Sequence, residues 1–303
     1  MNSKLELTPL TASIGALAHG IDISSELRLD EVKEIESAMD RFAVLVFRDQ
    51  ILDQDQQIRF AKNFGPLDTG LRKLRRGTHR FAYNELADIS NVTAEGEVAE
   101  RSHSRIVSNV ANQLWHSDSS FQQVRAKYSM LSAHVVPQFG GDTEFADLRA
   151  AYDELPDWRK TKIDNLVGVH SSLHSRFLLG DTGYDEAQKT AIAPARWPLV
   201  QTDPRSGRRC LYVGHHICEI EGMTLPEGRM LAMDLIEHAT QRQFVYQHKW
   251  RVGDLVMWDN TATLHRGKWY DFAERRELRR ATTEEVVRSS EAARLQQELE
   301  LAQ

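Results

Sequence analysis

Residues 128–145 read YSMLSAHVVPQFGGDTEF, which is two short strand-like runs separated by a proline and two glycines. Short strand-like runs of the same kind recur at RWPLV (196–200), RCLYV (209–213), FVYQHKW (244–250), DLVMWD (254–259) and ELRRATT (277–283). These runs do not alternate regularly with helices, so the pattern disfavours a parallel βαβ sheet. It predicts a mainly β protein with helical insertions, built on a double-sheet barrel or jelly roll.

Helical segments lie before and between these runs. Apolar residues recur at helical spacing over 31–41, and LDQDQQIRFAKNFGP (52–66) combines a capping-box pattern with a Gly-Pro stop. FAVLVF (42–47) reads as a buried strand, and 147–155 and 227–240 read as helices. Residues 66–110 form a long, weakly periodic connection that predicts a lid. We expect one catalytic domain over 1–303, with 284–303 as a charged helical or frayed tail.

Composition excludes several classes of function. The 303 residues are 41% hydrophobic and 27% charged, with a net charge of −6, so a nucleic-acid-binding surface is not expected. No apolar run is long enough to span a bilayer, and the N-terminus lacks a signal-peptide core. With only two cysteines, no disulfide framework is predicted. We therefore expect a cytoplasmic protein without membrane or nucleic-acid partners, and a homo-oligomer.

The stretch NQLWHSDSSF (112–121) places His116 and Asp118 one residue apart. A chain with 12 histidines and 44 acids contains roughly one or two such His-x-acid triplets by chance. In a strand the two side chains would share a face, whereas on a helix they would diverge. With a distant histidine they would form a two-His-one-carboxylate metal site. From this spacing alone, a surface His–Asp hydrogen bond is the simpler interpretation.

A third ligand would come from another histidine near a strand end. His265 follows the DLVMWD run, and His215 and His216 follow RCLYV. His134 and His248 lie within predicted strands and read as core residues with hydrogen-bond partners. The remaining histidines lie in predicted loops or helices without acidic neighbours, which is typical of solvated or structural histidines.

Arginines cluster in RRELRRATT (275–283). A strand there would place Arg276 and Arg280 on one face and Arg279 on the other. If the first face points into a barrel, its two guanidinium groups require anions, because an unpaired buried charge costs several kcal/mol. Carboxylates match the guanidinium fork. Alternatively the strand lies at an edge, where Glu274 and Glu277 pair with exposed arginines.

Several ordered motifs share a family resemblance. They are VLVFRDQ (44–50), FAKNFGPL (60–67), ELADISNV (85–92), WHSD (115–118), GGDTEFADLRAAYDEL (140–155), GDLVMWDNTATLHRG (253–267) and RRELRRATT. Together they resemble the Fe(II)/2-oxoglutarate dioxygenases of the taurine dioxygenase superfamily, above all the 2,4-dichlorophenoxyacetate branch. The resemblance covers nearly the whole chain and implies a double-stranded β-helix (jelly roll, cupin-like) core.

The resemblance also implies roles for particular residues. His116, Asp118 and His265 would bind Fe(II), and Thr143 and Arg276 would hold the co-substrate 2-oxoglutarate. Arg280 would hold the substrate carboxylate. Two further residues are assigned to the substrate side, namely Asn112 and, in the basic loop, Lys73.

The implied reaction uses O2 and hydroxylates the ether-linked carbon of an aryloxyacetate such as 2,4-dichlorophenoxyacetate. It gives a phenol and glyoxylate, together with succinate and CO2. Two alternatives stay open from the sequence. One is a dioxygenase of a sulfonate such as taurine or of another small carboxylate, and the other is a non-catalytic metal-binding barrel.

Overall fold

The chain forms short strands with helices between and outside them. The computed structural model describes residues 5–69, 80–186, 189 and 193–286. Its strands are β1 (Glu6–Pro9), β2 (Ala16–His19), β3 (Val44–Phe47), β4 (Ala87–Ser90), β5 (Ala126–Val135), β6 (Thr143–Asp147), β7 (Val167–His170), β8 (Ala195–Pro198), β9 (Val200–Thr202), β10 (Arg209–Leu211), β11 (Ile217–Ile220), β12 (Val245–His248), β13 (Leu255–Asp259), β14 (Thr263–Gly267) and β15 (Glu277–Glu284). The α-helices are α1 (Leu29–Phe42), α2 (Gln54–Lys62), α3 (Ser104–Val110), α4 (Leu148–Asp153), α5 (Asp157–Ile163), α6 (Ser172–Phe177) and α7 (Leu225–Ala239).

The largest sheet has seven strands in the order β1-β2-β3-β13-β5-β15-β4. Its pairings are antiparallel except for the parallel contact of β2 with β3. A second sheet has the order β12-β6-β14, and a third has the order β11-β7-β8. Strands β9 and β10 form a separate antiparallel pair.

One apolar core, the β-core, lies between the seven-stranded sheet and the β12-β6-β14 sheet. Val46, Leu131, Val256 and Leu278 point from the first sheet onto Phe145 of β6, and all five side chains are buried. Phe145 and its neighbours thus fill the space between two antiparallel layers. The prediction of a mainly β jelly roll is confirmed.

Helices α1 and α2 cover the opposite face of the seven-stranded sheet. Alternate residues of its strands, such as Leu45 and Met257, pack there against Ile35, Met39 and Phe60 of the helices. Successive side chains of a strand point to opposite faces, so neighbouring residues of these strands lie in two different cores. Asp53 caps α2 by accepting a hydrogen bond from the Gln56 N–H, as the capping-box pattern predicts.

A further apolar cluster joins α4 and α7 to β10 and β11. Leu148 and Leu235 are among its fully buried helical members, and Trp115 and Leu264 connect it to the ends of the β-core. Asp147 begins α4 by accepting hydrogen bonds from the N–H groups of residues 149 and 150. Because Trp115 belongs to this cluster, the cluster anchors the segment that carries His116 and Asp118.

Three parts of the sequence prediction need correction. The connection over 66–110 contains β4 and α3. These elements have only four and seven residues, which is too short for a recognisable sequence pattern. His19 and His170 end strands β2 and β7, although loops or helices were predicted for them. Asp118 lies in a turn, and His116 makes a single bridge outside the named strands. The predicted tail lies outside the described residues beyond residue 286. No helix of the described part is long and apolar enough to cross a bilayer.

Candidate active site

His116 and His265 face each other across a two-residue β-bridge. The N–H of His116 donates to the carbonyl of His265 at 3.0 Å, and the reverse bond measures 2.9 Å. Their ring centroids are 4.2 Å apart. This bridge joins the 112–121 stretch to β14, so two histidines that are far apart in sequence become neighbours.

Asp118 lies in the turn after this bridge, and several groups fix it. Its N–H donates to Asn260 Oδ1 at 3.0 Å, and Ser129 Oγ donates to its Oδ2 at 2.7 Å. Arg280 Nη1 donates to the other carboxylate oxygen. The carboxylate therefore has a fixed orientation toward His265, whose Nε2 lies 3.7 Å from Oδ2.

The three side chains form a buried cluster with metal-ligand geometry. One donor atom from each of His116, Asp118 and His265 lies within 4.8 Å of the others. The Leu114 carbonyl oxygen can only accept from His116 Nδ1, at 2.7 Å, so the lone pair of that ring is on Nε2. A ring nitrogen with a free lone pair is the form that binds metals.

Electrostatics favour the charge states that a divalent cation needs. Burial lowers the pKa of both imidazoles, which keeps them neutral. Burial by itself would raise the pKa of the Asp118 carboxyl, but the positive charge of Arg280 and the hydrogen bond from Ser129 act in the opposite direction, and the pKa is lowered. Two neutral imidazoles and one carboxylate fit a ferrous ion and leave coordination positions for other ligands.

A buried arginine and a threonine lie beside this cluster. Arg276 Nη2 donates to the carbonyl of Gly141 at 3.1 Å, but its buried Nε has no hydrogen-bond partner among the described residues. A Cβ at Gly141, whose φ is +70°, would approach that Nε to 3.2 Å. Thr143, two residues further along, is also buried. Burial lowers the pKa of the Arg276 guanidinium, so an anion there would be stabilising.

Arg276, directly before β15, and Arg280, within β15, line the same cavity from one face of the sheet. Arg279 projects from the other face and donates to Gln57 Oε1 at 2.7 Å. Because β15 lies between β5 and β4, the alternative of an exposed edge strand is wrong. The cavity is lined by Ile89, Ser90, Asn109, Asn112, Gln113, His116, Leu131, Thr143, Trp258, His265, Gly267, Lys268, Tyr270, Phe272, Arg276 and Arg280.

Most of the predicted site residues therefore meet in one place. Asn112 lines the cavity from the short 3₁₀ turn that precedes the first histidine. Lys73 lies outside the described residues. His216 packs its ring against His116, with centroids 5.7 Å apart, but its Nδ1 interacts with Ser120 Oγ at 3.1 Å. His265, rather than His215 or His216, is the histidine that completes the cluster.

Comparison with known sequences identifies the family of the chain. The sequence model of the taurine catabolism dioxygenase TauD, TfdA family matches residues 6–282. The chain belongs to this family. It is therefore a dioxygenase, which is an oxidoreductase.

Two curated relatives and one solved structure span nearly the same length as this dioxygenase. The alpha-ketoglutarate-dependent 2,4-dichlorophenoxyacetate dioxygenase of Cupriavidus pinatubonensis is 58% identical over 275 residues, which are 91% of this chain and 96% of that protein. The (S)-phenoxypropionate/alpha-ketoglutarate-dioxygenase of Sphingobium herbicidovorans is 35% identical and covers 91% of this chain and 93% of its own length. The crystal structure of AAD-2 in complex with Mn(II) and N-oxalylglycine superimposes with a TM-score of 0.87 at 43% identity, over 94% of this chain and 98% of that one.

The residues that hold Asp118 in place by hydrogen bonds were not predicted from the sequence. Asn260 is fully buried; its Oδ1 accepts from the Asp118 N–H and from Trp258 Nε1, and its Nδ2 donates to Ser129 Oγ. Ser129 in turn holds the Asp118 carboxylate. The only signal in the sequence was Asn260 itself, a polar residue directly after an apolar strand, and such residues commonly form turns.

Replacing Asn260 with alanine is expected to weaken Fe(II) binding about 10- to 100-fold, as is typical when an outer-shell partner is lost. The free energy of unfolding should also fall by about 1–3 kcal/mol, because two buried N–H donors lose their acceptor. Anaerobic Fe(II) titration and thermal unfolding measure the two effects separately. Gln57→Ala, which removes a buried amide on α2, is the control and should lower stability alone. Equal Fe(II) affinity in both variants would contradict a supporting role for Asn260.

Proposed function

We propose that this dioxygenase uses Fe(II), 2-oxoglutarate and O2 to hydroxylate the ether-linked carbon of an aryloxyacetate such as 2,4-dichlorophenoxyacetate. His116, Asp118 and His265 would hold the iron. Bound Fe(II) supplies the oxidising chemistry, which couples decarboxylation of 2-oxoglutarate to succinate and CO2 with insertion of one oxygen atom into a C–H bond. The product, a hemiacetal, breaks down to a phenol and glyoxylate.

The observation that carries the proposal is the pair of guanidinium groups beside the His-Asp-His cluster. Arg276 and Arg280 each have a buried Nε without a hydrogen-bond partner in the part of the chain that the structure describes. A buried N–H group needs an acceptor, and the planar guanidinium fork matches a carboxylate. Two such groups next to one metal site suit a reaction that brings two carboxylates together.

The two arginines differ in their surroundings, which suggests the division of roles. Arg276 is deeper, near the Thr143 hydroxyl and under the ring of Tyr270, and we assign it and Thr143 to the distal carboxylate of 2-oxoglutarate. Arg280 has a side chain 23% exposed and already donates to Asp118 through Nη1. Its other N–H groups are available to hold a substrate carboxylate near the iron.

The apolar part of the cavity lining supports an aromatic substrate. Ile89, Leu131 and Phe272 lie around the same cavity as Arg280. An aryl ring would pack against such side chains while the carboxylate binds the guanidinium. The Asn112 amide, which also lines this cavity, would be a hydrogen-bond donor near the bound acids. Lys73 stays assigned to the substrate side by sequence only.

Four further features complete the proposal: the domain, the size of the substrate, the cellular location and the oligomeric state. We assign the catalytic function to one domain made of the whole chain, because the two sheets of the β-core, together with the segment before β5, supply the cavity residues together. The substrate is a small molecule. We also propose a cytoplasmic location, from the composition and the two free cysteines, and a homo-oligomeric state.

The proposal is tested by measuring succinate release with Fe(II), 2-oxoglutarate and a panel of acids. The panel contains 2,4-dichlorophenoxyacetate, both enantiomers of a phenoxypropionate, a cinnamate and taurine. We expect the aryloxyacetate to give the highest kcat/KM, with phenol and glyoxylate formed in equal amounts to succinate. Preference for taurine would replace the substrate assignment. Absence of succinate with every acid, despite bound Fe(II), would favour a non-catalytic metal-binding barrel.

A further inference from the structure

Trp250 is in direct contact with the threonine that faces the cavity. Its indole Nε1 donates a hydrogen bond to Thr143 Oγ1 at 3.0 Å. Thr143 lies at the start of β6, where it is paired with His248 on one side and Gly267 on the other. Trp250 itself lies just beyond the end of β12 and packs against the β-core between the two sheets.

The direction of this hydrogen bond determines what the threonine hydroxyl can do. An indole N–H only donates, so it occupies a lone pair of the Thr143 oxygen. The hydroxyl proton must then point elsewhere. Among the described residues no protein acceptor for it is found, and the side chain lines the cavity. The hydroxyl is therefore presented to the cavity as a donor, which is the role that suits a carboxylate ligand.

The indole is held in this orientation by a rigid group behind it. The ring of His248 meets that of Trp250 edge-to-face, with centroids 4.6 Å apart and an interplanar angle of 82°. His248 is fully buried, and both of its ring nitrogens are engaged, one by the Tyr246 hydroxyl at 2.9 Å and the other by Asp254 Oδ2 at 3.0 Å. Such a ring has little freedom to rotate, so it fixes the plane of the indole.

We infer that Trp250 is a positioning residue for the co-substrate. Its N–H polarises and orients the Thr143 hydroxyl so that this hydroxyl donates to the distal carboxylate of 2-oxoglutarate beside Arg276. The inference rests on the proposed function for the identity of that anion. Trp250 does not touch the anion in this scheme; it acts only through the threonine.

The test is a double-mutant cycle between Trp250 and Thr143, with the dissociation constant (Kd) for 2-oxoglutarate as the readout. Binding is measured by anaerobic calorimetry on the Mn(II)-loaded full-length protein, which requires no turnover. Trp250→Phe is expected to raise the Kd about 3- to 10-fold, the effect of one hydrogen bond. Thr143→Val should raise it about 10- to 100-fold, since a bond to a charged group is lost. In the Thr143→Val background, Trp250→Phe should cause no further increase.

Additional variants separate positioning from general structural damage. Replacing Trp250 with 3-benzothienylalanine exchanges the N–H for sulfur at nearly constant shape, so it should reproduce the effect of Trp250→Phe even if that variant folds poorly. Trp158→Phe, at an exposed tryptophan of α5, is the matched control and should leave the Kd unchanged. The aryloxyacetate KM should stay within about 2-fold in the Trp250 variants, because Arg280 is not affected.

The outcomes are distinguishable. If the two substitutions raise the Kd independently, so that their effects multiply, the indole does not act through the threonine and the inference is wrong. An unchanged Kd with benzothienylalanine would also overturn it. If the unmodified protein fails to bind 2-oxoglutarate at all, the co-substrate assignment itself fails.

Discussion

Asp118→Ala is expected to abolish succinate formation and to reduce Fe(II) binding to a level below detection in anaerobic titration. The substitution removes the only anionic donor of the His-Asp-His cluster and leaves two neutral imidazoles. Without that carboxylate the ion loses both a ligand and the charge that attracts it. Fe(II) binding is measured by titration, and the visible charge-transfer band on addition of Fe(II) and 2-oxoglutarate provides a second, turnover-free measurement.

The same substitution also affects stability, which requires a matched control. Asp118→Ala removes the carboxylate that accepts from Arg280 and from Ser129. Breaking a buried ion pair costs about 3–5 kcal/mol, and the partial exposure of Arg280 puts the expected cost toward the lower end. Asp147→Ala is the control, because Asp147 is equally buried and pairs with Arg149 outside the cavity. It should destabilise the fold but keep the charge-transfer band, and retention of that band in Asp118→Ala would exclude Asp118 as a ligand.

The strands that were predicted and those that were missed differ in length and in the source of their stability. β5 and β15, with ten and eight residues, carry enough alternation or apolar content to be recognised locally. β7 and β11 have four residues each, and they form by pairing with each other from distant parts of the chain. Their strand conformation depends on that pairing, which a local sequence pattern does not contain.

The candidate site likewise has a part that the sequence predicted and a part that it did not. The types of residue that could bind metal and anions were evident from WHSD and RRELRRATT, and the family resemblance selected His265 among several histidines. The expected reason for the closeness of His116 and Asp118, a shared strand face, was wrong. The bridge to His265 and the turn held by Asn260 bring them together. Both features depend on contacts between segments that are distant in sequence.

The contacts of Trp250 and His248 with the site could not be predicted, because they depend on the packing of individual side chains. Trp250 and His248 lie in the recognised run FVYQHKW, where an aromatic residue is most simply a core residue. The hydrogen bond from the indole to Thr143 requires a particular register between β12 and β6, in which His248 is opposite Thr143. A shift of one residue would turn the indole to the other face.

Arg276→Ala and Arg280→Ala are expected to weaken the binding of different ligands, 2-oxoglutarate in the first variant and the aryloxyacetate in the second. Truncating one partner of a buried, hydrogen-bonded charge pair costs about 2–5 kcal/mol. Arg276→Ala should therefore raise the 2-oxoglutarate KM about 10²-fold or more and leave the aryloxyacetate KM within about 3-fold. Arg280→Ala should raise the aryloxyacetate KM about 10- to 100-fold, less because Arg280 is partly exposed. Steady-state kinetics with each ligand varied in turn measure both effects.

Arg279→Ala is the internal control, since Arg279 lies between the two in sequence but points to the opposite face of β15, toward Gln57. It should lower the unfolding temperature without changing either KM, because its guanidinium supports α2 rather than the cavity. Lysine at 276 or 280 should recover only part of the lost affinity, as an ammonium group supplies charge but not the bidentate fork. An exchange of the two effects would assign 2-oxoglutarate to Arg280 instead. Equal loss of affinity for both ligands in both variants would mean that the two guanidinium groups hold one shared anion, and the two-carboxylate scheme would then be abandoned.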